Sequence, residues 1–134
     1  MPSRNIADLD PRLQTLAQDF LDRCKLAGVD VIITQTYRSA AEQDALYAQG
    51  RTTPGPIVTK AKSGQSAHEC TMPDGTPGAR AFDFAIECGE NTLDWDEHDD
   101  EWMTVLAIGN AMGLVSGGSW GDWDHFELPN WRTA

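Results

Sequence analysis

At 134 residues the chain has the length of one domain that buries a single core. Its 40% hydrophobic and 23% charged content excludes disorder as the default, and 21 acidic against 10 basic residues give a net charge of -11 that argues against a nucleic-acid-tracking surface. No run approaches the roughly 18 apolar residues of a membrane helix. The start, Met1-Pro2-Ser3-Arg4-Asn5, lacks the apolar stretch of a secretory signal, so synthesis in the cytoplasm without export is expected. Cys24, Cys70 and Cys88 are too few for a disulfide framework and are expected as free thiols.

Asp10-Pro11 is a helix start, because Asp caps and Pro in the first turn gives up no needed donor. Leu13, Leu16, Ala17, Phe20, Leu21 and Cys24 then follow the spacing of one buried face, and Gly28 is the stop. Residues 29–36, with Val31, Ile32, Ile33 and Thr34, read as a strand. Ser39 and Glu42 form a capping box for a second helix running to about Gln49. Residues 51–65 hold Pro54, Gly55, Pro56 and Gly64 and read as an irregular loop with a short extended piece at Ile57-Val58.

Pro73, Gly75 and Pro77 mark a surface excursion, after which residues 80–87 read as a strand. Ala81, Asp83 and Ala85 take one side of it, and Phe82, Phe84 and Ile86 the other. The acidic run 94–101 suits the N-terminus of a third helix bearing Trp102, Val105, Leu106 and Gly109. Its alternative is a calcium site, although the run lacks the glycine turn and Asp spacing of an EF-hand loop. His98 within it reads as a solvated helix residue. Residues 113–121 read as a turn-rich connection and 125–128 as a closing strand. The expected fold is α+β: a single small domain over residues 1–134, with a short antiparallel sheet and about three helices packed around a metal cleft.

Asp83 is an acid on an otherwise apolar strand, and a buried carboxylate is costly unless paired or bound to metal. Ser66-Ala67-His68 precedes it across the Pro/Gly-rich excursion. Asp122-Trp123-Asp124-His125-Phe126 offers a second compact set of metal-type side chains. With His68 and Asp83 as two zinc ligands and a third from the late cluster, a fourth position is left for water, the layout of a hydrolytic site. Cys70, two residues after His68, is either a rival ligand or a free thiol in a loop wall.

Tyr37-Arg38-Ser39, Glu42-Gln43, Leu46-Tyr47-Ala48-Gln49-Gly50-Arg51-Thr52, Ser66-Ala67-His68, Ala81-Phe82-Asp83 and Asp122-Trp123-Asp124-His125 follow one another in that order. Together they resemble the zinc peptidases that cleave bacterial cell-wall peptides: D-Ala-D-Ala carboxypeptidases, and the L-alanyl-D-glutamate endopeptidases of phage endolysins and bacterial autolysins. The resemblance spans residues 31–128 and implies one zinc ion held by His68, Asp83 and His125. It implies Asp122 as general base, with Asp124 as the rival that points away if the stretch is extended. Arg38 stabilises an oxyanion or binds a substrate carboxylate, or else pairs with an internal acid such as Asp83 or Glu87. Ser66, Tyr37 and Trp123, with Trp120, are the expected substrate contacts; a turn cap and core packing are their alternatives.

One departure stands out. Asp83 follows His68 by fifteen positions where the family pattern has seven, so an insertion of eight residues within 69–78 is expected to loop outward. The Leu46-to-Thr52 stretch is most similar to the endopeptidases, which implies peptidoglycan stem peptide cut at the L-alanyl-D-glutamate bond. A D-Ala-D-Ala carboxypeptidase and a non-catalytic, zinc-stabilised wall-binding module are the alternatives. Taken with the start of the chain, the resemblance implies a monomeric phage endolysin, made in the host cytoplasm and acting on the wall after release. No separate wall-binding domain, membrane insertion or nucleic-acid partner is expected.

Overall fold

The computed structural model describes residues 2–89, 92–96 and 99–133. Asp10 opens the first helix, α1 (Pro11–Leu26), by accepting the Arg12 amide on its side chain, and Gly28 at φ 83° turns the chain out of it. Leu13, Ala17, Phe20 and Cys24 form its buried stripe, as the spacing predicts. After β1 (Asp30–Gln35), the Ser39/Glu42 capping box starts α2 (Ala40–Ala48). The order continues with β2 (Ala81–Gly89), β3 (Thr92–Asp94), α3 (Asp100–Ala111), β4 (Val115–Gly117) and β5 (Asp122–Glu127).

Among the described residues the architecture is α+β, three α-helices with a five-stranded antiparallel sheet. Its strand order is β1-β2-β5-β4, and β3 also pairs with β2. β2 is central and buried from Ala81 to Ile86. One of its faces, with Phe82, Phe84 and Ile86, meets the helices: the Phe20 ring lies 5.6, 5.5 and 5.4 Å from those of Phe82, Phe84 and Phe126, and Trp102 lies 5.3 Å from Phe84. The opposite face carries Asp83.

α3 approaches this aromatic cluster at Gly109, where an added Cβ would sit 2.2 Å from the Phe126 ring. Alanine there gains about 1 kcal/mol of helix propensity. Overpacking against a ring locked by its neighbours costs about 1–3 kcal/mol, so the clash prevails. Gly109→Ala therefore lowers the urea unfolding midpoint, and a raised midpoint would contradict this packing.

Two strands escape the sequence reading. Asp94 does not begin a helix: it ends β3, buried, and its carbonyl accepts the Trp102 indole N–H at 2.7 Å. The helix starts only at Asp100, capped by Asp99. The stretch 113–121, expected as a connection, contains β4, three residues too short to show an alternating pattern. Ile57-Val58 lies outside every strand and is exposed. His98 falls outside the described residues. Among the described ones, the acidic run brings no three carboxylates within reach of one ion.

The stretch 69–78, expected to hold an insertion, does loop outward. Thr71 pairs with Pro77, and the Met72 amide donates to the Thr76 carbonyl, making a tight hairpin. Gly78 N–H donates to Cys70 C=O and Arg80 N–H to Ala67 C=O, so the strand register resumes beside His68. Cys70 lies outside the His/Asp cluster described below, and all three cysteines are free.

Candidate metal centre and cleft

Asp83 and His125 are direct cross-strand partners of β2 and β5, so strand pairing alone sets them side by side. Alternation turns both away from the phenylalanine cluster. His68 joins from the 3-10 turn Ala67–Glu69, which is capped by Ser66 and closed reciprocally by Glu69. All three side chains are buried. His68 Nε2 lies 3.1 Å from Asp83 Oδ1, His125 Nδ1 lies 3.1 Å from the same oxygen, and the two nitrogens are 3.3 Å apart.

The outer partners fix which nitrogen carries a proton. His68 Nδ1 sits 2.7 Å from the Thr36 carbonyl, which can only accept, so Nδ1–H donates and Nε2 presents a lone pair inward. His125 Nε2 sits 2.8 Å from Glu127 Oε1, so Nε2–H donates and Nδ1 faces inward. Three electron-pair donors thus converge with no hydrogen between them, an arrangement that calls for a cation. Their separations are close to the roughly 3.3 Å edge of a tetrahedron with zinc–ligand bonds of about 2.0 Å. Thr36 is itself anchored by the N-terminal arm, donating its amide to Ser3 C=O at 2.7 Å and its hydroxyl to Asn5 C=O at 2.9 Å.

Without a metal, a proton takes the cation's place. Burial works against a charged His125, but hydrogen bonds to Asp83 and Glu127 and the charges of Asp83 and Asp122 prevail, raising it to about 10. Burial pushes the wholly enclosed His68 the other way, downward. Burial would also raise Asp83, yet the two histidines hold its carboxyl well below the usual carboxylate range.

His125 binds its proton more tightly folded than unfolded. That stabilisation is complete below about pH 6.5 and is lost as pH rises to about 10, at up to about 1.4 kcal/mol per pH unit. Asp124, pushed up to about 8, works in the same direction at lower pH, and His68 opposes only below pH 6.5. The melting temperature of EDTA-treated protein therefore falls between pH 6.5 and 10, and added zinc flattens the slope. A level metal-free profile would contradict the assignment.

Arg38, at the junction after β1, takes up the internal-acid alternative. Its Nη2 donates to Asp83 Oδ2 at 2.8 Å, Nη1 to Gln43 Oε1 at 3.1 Å, and Nε to Gln35 Oε1 at 2.7 Å. One oxygen of Asp83 is thereby engaged by Arg38 while the other faces the histidines. Gln43, fully buried, also donates to the Ala61 carbonyl at 2.7 Å and ties the long loop to the same network.

Asp122 reaches the centre through a break in β5. Ser116 of β4 pairs with Phe126, but Gly117 pairs with Asp122, so residues 123–125 bulge. Strict alternation would set Asp122 and Asp124 opposite His125. The bulge instead brings Asp122 Oδ2 to 3.7 Å from His125 Nδ1 and gathers the carboxylates of Asp83, Asp122 and Asp124 within 4.8 Å of one another. The expectation that Asp124 points away is corrected by this geometry. Gly117 permits the approach, since a Cβ there would lie 2.4 Å from the Asp122 carbonyl oxygen. Burial and the charges of Asp83 and Asp122 push the Asp124 carboxyl up to about 8, so in the metal-free protein it is a proton-bearing acid at neutral pH.

His68, His125 and Asp122 border a hollow of about 290 Å³ together with Arg38, Ser66 and Trp120. A second hollow of about 450 Å³ adjoins it past Trp120, and a third of about 300 Å³ lies on the Asp83 and Asp124 side. Ser66 borders the first, and its hydroxyl oxygen also accepts the His68 amide at 3.2 Å. Tyr37 and Trp123, expected as substrate contacts, border none of the three. Tyr37 packs against the core, and Trp123 covers Gly118 on the outside of the bulge. Trp120 forms the wall instead, edge-on to His125 at 5.9 Å.

Sequence reasoning missed Gln43, Gly117 and Glu127. Only Glu127 left a signal, because it sits two residues after His125 on one strand and so on the same face. A carboxylate behind a ligand histidine raises its basicity. Glu127→Gln accordingly weakens zinc binding by about 10- to 100-fold in chelator competition.

The family described as VanY, D-alanyl-D-alanine carboxypeptidase, matches residues 6–77, more than half of the chain and the part that supplies Arg38, Gln43, Ser66 and His68. The chain belongs to the VanY family. It is thereby a peptidase. Peptidoglycan L-alanyl-D-glutamate endopeptidase CwlK of Bacillus subtilis (strain 168) is 36% identical over 135 residues, covering 92% of this chain and 76% of CwlK. The VanY match ends before β2, so Asp83, Asp122 and His125 are joined to it by the geometry.

Proposed function

We propose that this VanY-family chain is a zinc endopeptidase that hydrolyses the L-alanyl-D-glutamate bond of peptidoglycan stem peptides, acting as a monomeric, single catalytic domain with one zinc ion. The observation that supports it best is the convergence of three lone pairs at 3.1–3.3 Å, with Asp122 beside them in a cleft. Bound by His68, Asp83 and His125, zinc would supply a Lewis acid that polarises the scissile carbonyl and acidifies water. Asp122, at the cleft surface, takes a proton from the attacking water and hands it to the leaving amine. Arg38 holds Asp83 in place and Glu127 holds His125. Ser66 has a hydroxyl proton left to offer a peptide carbonyl.

Two features favour an endopeptidase over a carboxypeptidase. CwlK, a relative that aligns over most of the chain, is named for the L-alanyl-D-glutamate bond. The centre is also bordered by hollows on both its histidine side and its Asp83 side, as a peptide running through requires. Mass spectrometry of digested peptidoglycan tests this. New D-glutamyl amines and L-alanine carboxyl ends are expected; free D-alanine would mean a carboxypeptidase, and no product with zinc loaded would mean a binding module.

The setting we propose is that of a phage endolysin. Cells making the protein should stay intact until their membrane is permeabilised, and lysis without permeabilisation would contradict it.

A further inference from the structure

The strongly acidic chain carries a basic patch at its cleft. Between Asp44 and Glu69 there is no acid at all, but there are Arg51, Lys60 and Lys62. Arg51 is engaged in structure, lying 3.9 Å over the Tyr47 ring and donating to the Tyr47 and Thr59 carbonyls. Lys62 lies 5.4 Å from the same ring. Lys60 instead borders the second hollow, and Arg132 borders it as well, reaching in from the C-terminal turn with its guanidinium stacked 4.3 Å over Trp131. Among the described residues neither forms an ion pair. Ile57, Val58 and Trp120 add an exposed apolar surface to the wall, and Thr59, Gln65 and Asp122 a polar one. Two cations beside an exposed apolar surface fit a carboxylate on a small organic residue.

The proposed bond presents such a group. A D-glutamyl residue uses one of its two carboxyls in the peptide chain, and the other remains free. Its amine is the leaving group, protonated by Asp122, so the free carboxylate must lie in a hollow that Asp122 borders. Two hollows beyond the reaction centre meet that condition. The one lined by Asp83 and Asp124 has Arg38 as its cation, already bound to Asp83 at 2.8 Å, whereas Lys60 and Arg132 in the other form no ion pair among the described residues and attract an anion.

We propose that the hollow between residues 57–61 and Arg132 is the subsite for the free carboxylate of the D-glutamyl residue, with Lys60 and Arg132 as its cationic partners. This rests on the bond assigned above. It also explains how a protein of net charge -11 holds an anionic peptide: the charge facing the substrate is opposite to the charge of the whole.

Paired muropeptides, identical except that this carboxylate is a carboxamide in one, provide the test. The unmodified protein should prefer the acid by about five- to tenfold in kcat/KM, the scale of two exposed ion pairs. Lys60→Gln with Arg132→Gln should bring the ratio near one, while Arg132→Lys retains most of it. Lys25→Gln, the loss of one positive charge on the distant end of α1, should leave the ratio intact. Equal cleavage of both muropeptides by the unmodified protein, a ratio that survives the double substitution, or an equal fall with Lys25→Gln would each overturn the subsite. Cleavage of a different bond in both muropeptides would overturn the proposed function itself, and this assignment with it.

Discussion

Asp122→Asn lowers kcat on peptidoglycan by about 10²- to 10⁴-fold, the usual contribution of a general base. The amide keeps the size of the side chain but cannot take a proton, so zinc content and melting temperature should change little. Asp122 is suited to the role by position: its carboxylate is 3.7 Å from His125 Nδ1, and its side chain keeps 39% of its surface open to the cleft. Asp124, the rival, is half-buried and borders the hollow on the Asp83 side, not the one bordered by His68 and His125. Asp124→Asn should therefore cost much less. Counting new amines released from purified peptidoglycan decides the matter, and the reverse order of the two variants would transfer the base to Asp124.

Asp83→Ala should abolish zinc binding and also destabilise the fold by about 3–5 kcal/mol, because it strands a buried guanidinium. Arg38 and Asp83 are paired at 2.8 Å with only 10% of either side chain exposed. Asp83→Asn, which leaves an oxygen for Arg38, should lose zinc with a smaller loss of stability. Asp83→Ala combined with Arg38→Met should recover much of the urea midpoint without recovering zinc, since the stranded charge is gone while the ligand is still missing. If Asp83→Ala bound zinc as tightly as the unmodified protein, the centre would have to be built from other residues.

The long elements were legible because each rests on local chemistry. The stripe from Leu13 to Cys24, the Ser39/Glu42 box and the alternation through Phe82, Asp83 and Phe84 reappear in the structure as read. β3 and β4 were not legible, since three residues cannot display a period and both owe their strand form to neighbours already in the sheet. The convergence of His68, Asp83 and His125 was legible through residue type and order. Its supports were less so: Gln43 lies buried in a helix whose pattern gives no reason to bury it, and the bulge that delivers Asp122 depends on Gly117, one turn-like glycine among several. The expectation of Tyr37 and Trp123 at the cleft rested on aromatic type, which does not say which side of a chain faces a cleft.

The hairpin between His68 and Asp83 has a bearing on how this enzyme can be altered. Its two feet are tied by Gly78 to Cys70 and by Arg80 to Ala67, so what hangs beyond them is mechanically separate from His68 and Asp83. Doubling such a loop adds only about 0.6 kcal/mol of closure cost. The tip at Pro73-Asp74-Gly75 is thus a splice point in the middle of the catalytic sequence, where an affinity tag or a wall-anchoring peptide can be carried within one folded unit.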